Sequence, residues 1–325
     1  MTDIHGLLDY LSDGNFHSGE DIAAEFNVSR TAIWKQIKKL NTLLPFEISS
    51  VSGKGYRLEE SMLVLDKDKL LSYLTKQIAL KLDRIEVLLE CPSTNQYLLE
   101  QSGQCMEDNI LLLTESQTQG RGRRGRTWVS PFASNIYMSL SWGLGLSISE
   151  MSGLSLVVAI SVANAIKNSG IENVKLKWPN DIYVDGKKIS GVLLELRGEI
   201  NSPCRAVIGV GVNVNMPDIA ADKIDQPWTD MRSLVGTYVD RNIVIADIIN
   251  ELIPNLELFE QRGFSAFVEQ WNNFDLLSNQ AIEIIGHAVM KQGIARGVDA
   301  HGALLVEFEN KIQPLYSGEV SIRLN

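Results

Sequence analysis

Apolar residues at Ile4, Leu7, Leu8 and Leu11 recur at the spacing of a helix packed on one face. A polar turn at Asp13 to Asn15 follows, and Ser18, with Asp21 three residues on, opens a second helix. Its inward stripe is Ile22, Ala23 and Phe26, and Asn27 ends it. Ser29 then caps SRTAIWKQIKKL, where Ile33, Ile37 and Leu40 face inward and Trp34 reads as a further core contact. The period then shortens: FEISSVSGKGYRL, 46 to 58, predicts two short strands around Gly53, Lys54 and Gly55. Two helices across a tight turn followed by a hairpin predict a winged helix-turn-helix.

Downstream, a Lys- and Leu-rich segment from Asp66 to Leu82 predicts a connecting helix, after which strands and helices alternate. CPSTNQYLLEQSG begins a helix at Pro92, with Ser93 and Gln96 as a capping box and Gly103 as the stop. LKWPNDIYVDGKKISGVLLEL, 176 to 196, predicts two strands joined at Asp185-Gly186, with Lys188 and Ile189 on opposite faces. VIGVGVNVNM, 207 to 216, predicts a strand whose interior Gly209 and Gly211 weaken it unless something approaches its backbone. Pro254 should kink or split the helix IINELIPNLELF. From 279 onward AIEIIG, GIARGV, ALLVEF and EVSIRL read as a small barrel. The pattern predicts an α+β chain of three domains: 1–65, 66–276 with 66–82 as a linker helix, and 277–325.

Bulk properties exclude several classes. With 45% hydrophobic and 22% charged residues over 325 positions, disorder is not expected. The amino terminus lacks a basic segment and a cleavable apolar run, and the longest apolar stretch, 154 to 166, is too short to span a bilayer. A cytoplasmic protein without membrane contact is expected. Three cysteines without a C-x-x-C pair and four scattered histidines indicate neither disulfides nor a protein-held metal site. A net charge of -10 argues against a nucleic-acid-coated protein, yet residues 30 to 57 carry six basic side chains against the single acid Glu47. Ser29, Arg30, Thr31, Lys35, Lys38 and Lys39 on the helix, with Lys54 in the wing, could meet DNA together. A solvated basic face is the alternative.

The segment QGRGRRGRTW, 119 to 128, places Arg121, Arg123, Arg124 and Arg126 within six positions. Its glycines spell G-x-G-x-x-G but run into Thr127, Trp128 and Pro131 instead of a helix, so it is not a dinucleotide turn. It would grip nucleic acid or close over an anionic small molecule. No G-x-x-x-x-G-K-[ST] exists, so any nucleotide binds without a P-loop.

S-T-N at 93 to 95, Gln117 followed by GRGRRGR-x-W, KWPND at 177 to 181, Lys188 before Ser190-Gly191, and GVGVN at 209 to 213 stand in the order found in biotin protein ligases. With its amino-terminal module the chain resembles the bifunctional ligases that also repress the biotin operon, over nearly its whole length. The resemblance implies a central ligase domain of the biotin/lipoate type and an SH3-like end domain. It implies a biotin- and ATP-using ligase, with Mg2+, that forms biotinyl-5'-AMP and passes biotin to a lysine of a biotin carboxyl carrier protein. It also implies operator DNA as a partner and a homodimer when biotinyl-AMP is bound. By the same match Ser93, Thr94, Asn95, Gln117, Arg121, Gly122 and Arg123 would hold biotin. Arg123 and Lys188 would serve its carboxylate and the α-phosphate, and Arg126, Trp128, Asn180 and Asn213 the adenylate side. A biotin sensor without catalysis, lipoate or octanoate transfer, and RNA binding by the arginine loop are the competing readings. The first would have lost Arg123 or Lys188, and the last predicts interleaved aromatics where Trp128 stands alone.

Overall fold

The computed structural model describes residues 4–44, 47–58, 63–101, 108–198, 202–217, 220, 224–285, 290–316 and 321–324. Helices α1 (Ile4–Leu11), α2 (Gly19–Glu25) and α3 (Arg30–Leu43) pack with the hairpin β1 (Ile48–Val51) and β2 (Gly55–Leu58). Ser18 Oγ accepts the Asp21 N–H at 3.0 Å and Ser29 Oγ the Ala32 N–H at 3.2 Å, so both caps predicted for this module are made. Leu7, Leu8, Leu11, Ile22, Ile33 and Leu40 are fully buried between them. Trp34 is not a core contact: it is 51% exposed. The inward stripe is already filled by Ile33, Ile37 and Leu40, and Trp34 lies on the outer ridge with Arg30 and Lys38, four residues to either side. The wing is pinned to the helices by reciprocal backbone bonds between His17 and Tyr56 of 2.9 and 2.8 Å. The predicted strand start at Phe46 lies outside the described residues.

The expected connecting helix is two short ones, α4 (Lys67–Tyr73) and α5 (Lys76–Ala79). Leu74 is extended, and Thr75 begins a new helix by accepting the Ile78 N–H. A seven-stranded sheet follows in the order β3-β4-β5-β9-β8-β7-β6, antiparallel except for β3 beside β4. Its strands are β3 (Arg84–Leu88), β4 (Ile110–Thr114), β5 (Ile136–Leu144), β6 (Val174–Lys177), β7 (Asp181–Val184), β8 (Lys187–Arg197) and β9 (Cys204–Val212). Residues 176 to 196 thus contribute three strands and not two, because the chain bends at Trp178-Pro179 between β6 and β7. The Asp185-Gly186 turn forms as expected, with φ of 48° and 75°.

The two faces of the sheet differ, and this places the site. Ile136, Met138 and Leu140 of β5 and Ile208, Val210 and Val212 of β9 turn to one core with α7 (Leu154–Asn168) and α9 (Arg241–Arg262). Their neighbours Ser139, Ser141, Gly209 and Gly211 turn to the other face, where α6 (Thr94–Gln101) lies. Between β9 and α9 stands the short α8 (Met231–Val235). Pro254 does not split α9, which runs unbroken for 22 residues. It sits on the exposed side while Ile253 and Leu256 are buried, so the lost backbone bond faces solvent.

After α10 (Val268–Phe274), strands β10 (Ala281–Ile285), β11 (Met290–Val298), β12 (Leu304–Phe308), β13 (Lys311–Leu315) and β14 (Ser321–Leu324) form an antiparallel sheet ordered β13-β12-β11-β10-β14. The strand β13 escaped the sequence pattern because its residues are mostly exposed and it carries Pro314, which an edge strand tolerates. This sheet is tied to the ligase domain by Trp178 Nε1 donating to Gly302 O at 3.0 Å. Among the described residues, no helix is long and apolar enough to cross a membrane.

Candidate active site and nucleic-acid interface

The cleft on the α6 face has a volume of about 800 Å³, within the range of small-molecule sites. Its floor is made of strands stripped of side chains. Gly191 of β8 and Gly211 of β9 are direct cross-strand partners, and the Trp128 indole lies on them. Two residues back, Gly209 makes room for Asn95: a Cβ at Gly209 would come within 2.9 Å of Asn95 Cγ. Something must indeed come close to this backbone, as the two interior glycines predicted.

At the buried end, Ser93, Thr94 and Asn95 are at most 4% exposed. Gln117 Oε1 accepts the Thr94 N–H at 3.0 Å, and Ser139 Oγ lies 2.7 Å from Thr94 Oγ1 and 2.6 Å from Asn95 Oδ1. Asn95 Nδ2 donates to Leu193 O at 3.1 Å and to Glu195 at 2.8 Å. Polar groups that converge in an otherwise apolar sheet suit a small polar ligand with both donors and acceptors.

The arginine loop closes the other side. Gly122 N–H donates to Arg126 O at 2.7 Å and Trp128 N–H to Gly120 O at 2.9 Å, and between them runs one tight turn at Arg123–Gly125. Arg124 is left-handed, with φ of 58°. The segment is therefore folded back on itself, not extended, and its arginines do not simply alternate in direction. Arg121 reaches Glu195 at 3.6 Å, while Arg123 donates to Asn180 Oδ1 at 3.1 Å. Asn180 is held in turn by donating to Val192 O at 2.7 Å.

Opposite the loop, a β-bulge in the β7–β8 pairing, between Ser190 and Lys188, re-aims the strand start. Lys188 is 11% exposed, 2.8 Å from Asp181, with its ammonium 5.6 Å above the Trp128 ring. Its backbone is fixed by Pro227 O and Thr229 N–H at 3.0 and 2.9 Å. Burial depresses the pKa of Arg123; Asp181 opposes that shift, and Arg124 and Arg126 add to it. Burial likewise lowers that of Lys177, with Asp181 again opposing and Lys188, Arg126 and Arg323 reinforcing. Burial, helped by Asp181, pushes the Tyr183 phenol up to about 12. Cations crowded enough to disfavour one another's charge are relieved by an incoming anion.

Of the sequence-derived set, Ser93, Thr94, Asn95, Gln117, Arg121, Gly122, Arg123, Arg126, Trp128, Asn180 and Lys188 line this one cleft. Asn213 is not among the lining residues; it is 4% exposed, and its amide donates to Thr229 O at 3.2 Å behind the floor. Sequence reasoning missed Tyr137 and Tyr183, and also Ile285, Ile322 and Arg323, which the carboxy-terminal sheet brings to the rim. The serines alternating in YMSLSW were a readable sign of a polar sheet face; the long-range approach of Arg323 left none.

On the amino-terminal module Ser29, Arg30, Thr31, Lys35, Lys38, Lys39 and Lys54 are all exposed. Lys38 lies 5.5 Å over the Trp34 ring, and Arg57 and Lys54 cover Phe16 at 4.8 and 5.6 Å. Helix and wing therefore each present cationic side chains beside an aromatic ring.

Fold and site together define an ATP-using acyl ligase of the biotin/lipoate class joined to a DNA-binding module. The sequence matches the Biotin/lipoate A/B protein ligase family over residues 89–213, an HTH domain over 6–57 and the Biotin protein ligase C terminal domain over 277–323. It is 38% identical to Bifunctional ligase/repressor BirA of Salmonella typhimurium over 98% of this chain and 96% of that one. The Escherichia coli protein of the same name is also 38% identical, over 98% and 96%. Biotin protein ligase from Aquifex aeolicus in complex with biotin and ATP superposes with a TM-score of 0.62 at 28% identity, covering 75% of this chain and 100% of that one. The chain belongs to the family of bifunctional biotin protein ligases and repressors.

Proposed function

We propose that the cleft joins biotin to ATP and that the named residues divide the work by position. Ser93, Thr94, Asn95, Gln117 and the 121–123 backbone hold the ureido and valeryl parts, at the neutral, buried end. Arg123 and Lys188 hold the biotin carboxylate and the α-phosphate together: a biotin carboxylate oxygen attacks the α-phosphorus, the bond to the β-phosphate breaks, and pyrophosphate leaves. An acceptor lysine of a carrier protein then attacks the acyl carbon and releases AMP. Arg126, Trp128 and Asn180 serve the adenylate side; Asn213 supports it from behind. The observation that carries this reading is the convergence of Arg123 and Lys188 on a glycine floor beside a polar buried pocket. Fixed positive groups aimed at developing phosphate charge lower the barrier, and charge-assisted contacts are worth roughly 1.5–3 kcal/mol each. The cleft is lined by two carboxylates, Asp225 and Asp181, the latter paired with Lys188. Mg2+ would be held mainly by triphosphate oxygens and water, offsetting phosphate charge. Pyrophosphate release measured with biotin, with lipoate and with neither tests the assignment; release driven by lipoate alone would overturn it.

The winged helix reads operator DNA, with α3 in the major groove and Lys54 on phosphate. Lys38→Ala should weaken binding across sequences and flatten its salt slope by about 1. Trp34→Ala should instead reduce discrimination, by about 1–3 kcal/mol, with non-specific binding kept. Anisotropy on a duplex selected by the full chain from a random pool measures both, and identical behaviour of the two variants would remove Trp34 from the reading surface.

Biotinyl-AMP, by ordering residues 119–128, would favour a homodimer that binds paired half-sites. The segment MPDIAADKIDQPW, 216 to 228, which the adenylate would order as well, lies partly outside the described residues. Sedimentation should show monomer without ligands and dimer with biotin and ATP; equal association in both states would refute ligand control.

We propose that the ligase domain takes in the residues just before the expected 65/66 border. Leu65 is buried in the ligase core, Leu65 N–H donates to Glu115 at 2.6 Å, and Leu63 O accepts from Arg241 at 2.7 Å. A chain beginning at Met62 should keep adenylation, whereas one beginning at Lys67 leaves a buried ion pair under-satisfied and should lose several kcal/mol, about 3–5 if the pair fails outright. Thermal melts of the two truncated chains decide it.

A further inference from the structure

Among the described residues, the most deeply buried ion pair lies outside the cleft. Arg241 and Glu115, 1% and 0% exposed, pair at 2.7 Å. Arg241 also donates to Leu63 O at 2.7 Å and to Asn135 O at 3.2 Å, and the second Glu115 oxygen accepts the Leu65 N–H. Asn242, the next residue, donates to Val64 O at 3.2 Å and accepts the Asp66 N–H at 2.9 Å. Side chains of the ligase domain thus satisfy a backbone group of each residue from 63 to 66. This stretch is where the chain leaves the winged helix: Val64 packs in that core and Leu65 in the ligase core.

The other side of the pair leads to the site. Glu115 follows β4 directly, its N–H donating to Leu88 O at 2.9 Å and its C=O accepting from Ala133 N–H at 3.0 Å. Ser116 O accepts the Cys91 N–H at 3.3 Å, and Gln117, next again, accepts from Thr94. Segments 88–94 and 132–135 therefore both meet residues 115–117, and Glu115 itself bonds to each of the two. Two of them send Leu89 and Phe132 onto the winged-helix core.

Stability alone does not account for such a pair, because well-packed apolar residues of similar volume often do as well or better. We propose that Glu115 and Arg241 are positioning residues for the biotin pocket: they fix Gln117, and through it Thr94, to the linker that carries the DNA-binding module. This rests on the reading of Gln117 and Thr94 as biotin contacts. Seating of biotin and placement of the linker then belong to one equilibrium, and each biases the other.

The test uses the full chain with Glu115→Leu and Arg241→Met combined, which removes both charges while filling the space. The expected variant melts near the parent temperature and shows a KM for biotin raised by about tenfold, equivalent to about 1.4 kcal/mol, with kcat and the KM for ATP little changed. An unchanged KM for biotin in the folded variant overturns the proposal. So does an equal rise in both KM values, which would mean general loosening. Should the double variant fail to fold, Arg241→Lys decides: lysine keeps a charge opposite Glu115 but lacks the planar fork that also reaches Leu63 O. It should raise the KM for biotin selectively, and parental kinetics overturn the proposal. Biotin-dependent pyrophosphate release by the parent chain is the separate control on the site itself, so the two failures are distinguishable.

Discussion

Replacing Arg123 or Lys188 with alanine should slow adenylate formation by on the order of 100-fold or more, the loss seen when a charge stabiliser aimed at a transition state is removed. Both groups are held before any ligand arrives: Arg123 by Asn180 at 3.1 Å and Lys188 by Asp181 at 2.8 Å. Both sit where water is partly excluded, so their fields are little screened. Arg124 is different. It is exposed at the tip of the turn in a left-handed conformation, and Arg124→Ala should cost far less. Single-turnover pyrophosphate release at saturating biotin and ATP measures all three, and equal losses would show that the loop presents its arginines otherwise than described.

Gly209→Ala and Gly211→Ala should damage different half-sites although only one residue separates them. Successive odd positions of β9 face the cleft, so both new methyls enter it. At Gly211 the methyl would stand 2.5 Å from Trp128 Cε2, forcing the indole off its platform beside Lys188. At Gly209 it would displace Asn95, whose amide is tied to Leu193, Glu195 and Ser139. Overpacking of this kind costs about 1–3 kcal/mol, enough for roughly tenfold to hundredfold effects. Gly211→Ala should fall mainly on the KM for ATP and Gly209→Ala mainly on that for biotin. Isothermal titration with each ligand checks the split, and a matching loss for both ligands in both variants would contradict the division of the floor.

Much of this was open to reading along the chain. Ser18 and Ser29 cap helices because a hydroxyl three residues before a free N–H is a local arrangement, and Asp185-Gly186 turns because its two residues accept positive φ. The arginine loop, Lys188 and GVGVN pointed to the chemistry through the order they share with biotin protein ligases. Two readings fail, for different reasons. Trp34 reads as a core contact, but a helix has only one inward stripe and Ile33, Ile37 and Leu40 fill it. Pro254 is expected to kink or split its helix, yet α9 continues unsplit through it, at an exposed position where the missing N–H faces solvent.

What the chain determined by itself was therefore local and periodic: caps, turns, the alternation that gives the sheet a polar face, and the stock of cationic side chains. What only the tertiary structure decided was long-range. Neither Arg323 arriving at the cleft rim from a separate sheet nor Arg241 finding Glu115 across 126 residues leaves a trace in spacing. Such contacts are set by how whole elements pack, since a buried charge is tolerated only where the assembled fold supplies its partners.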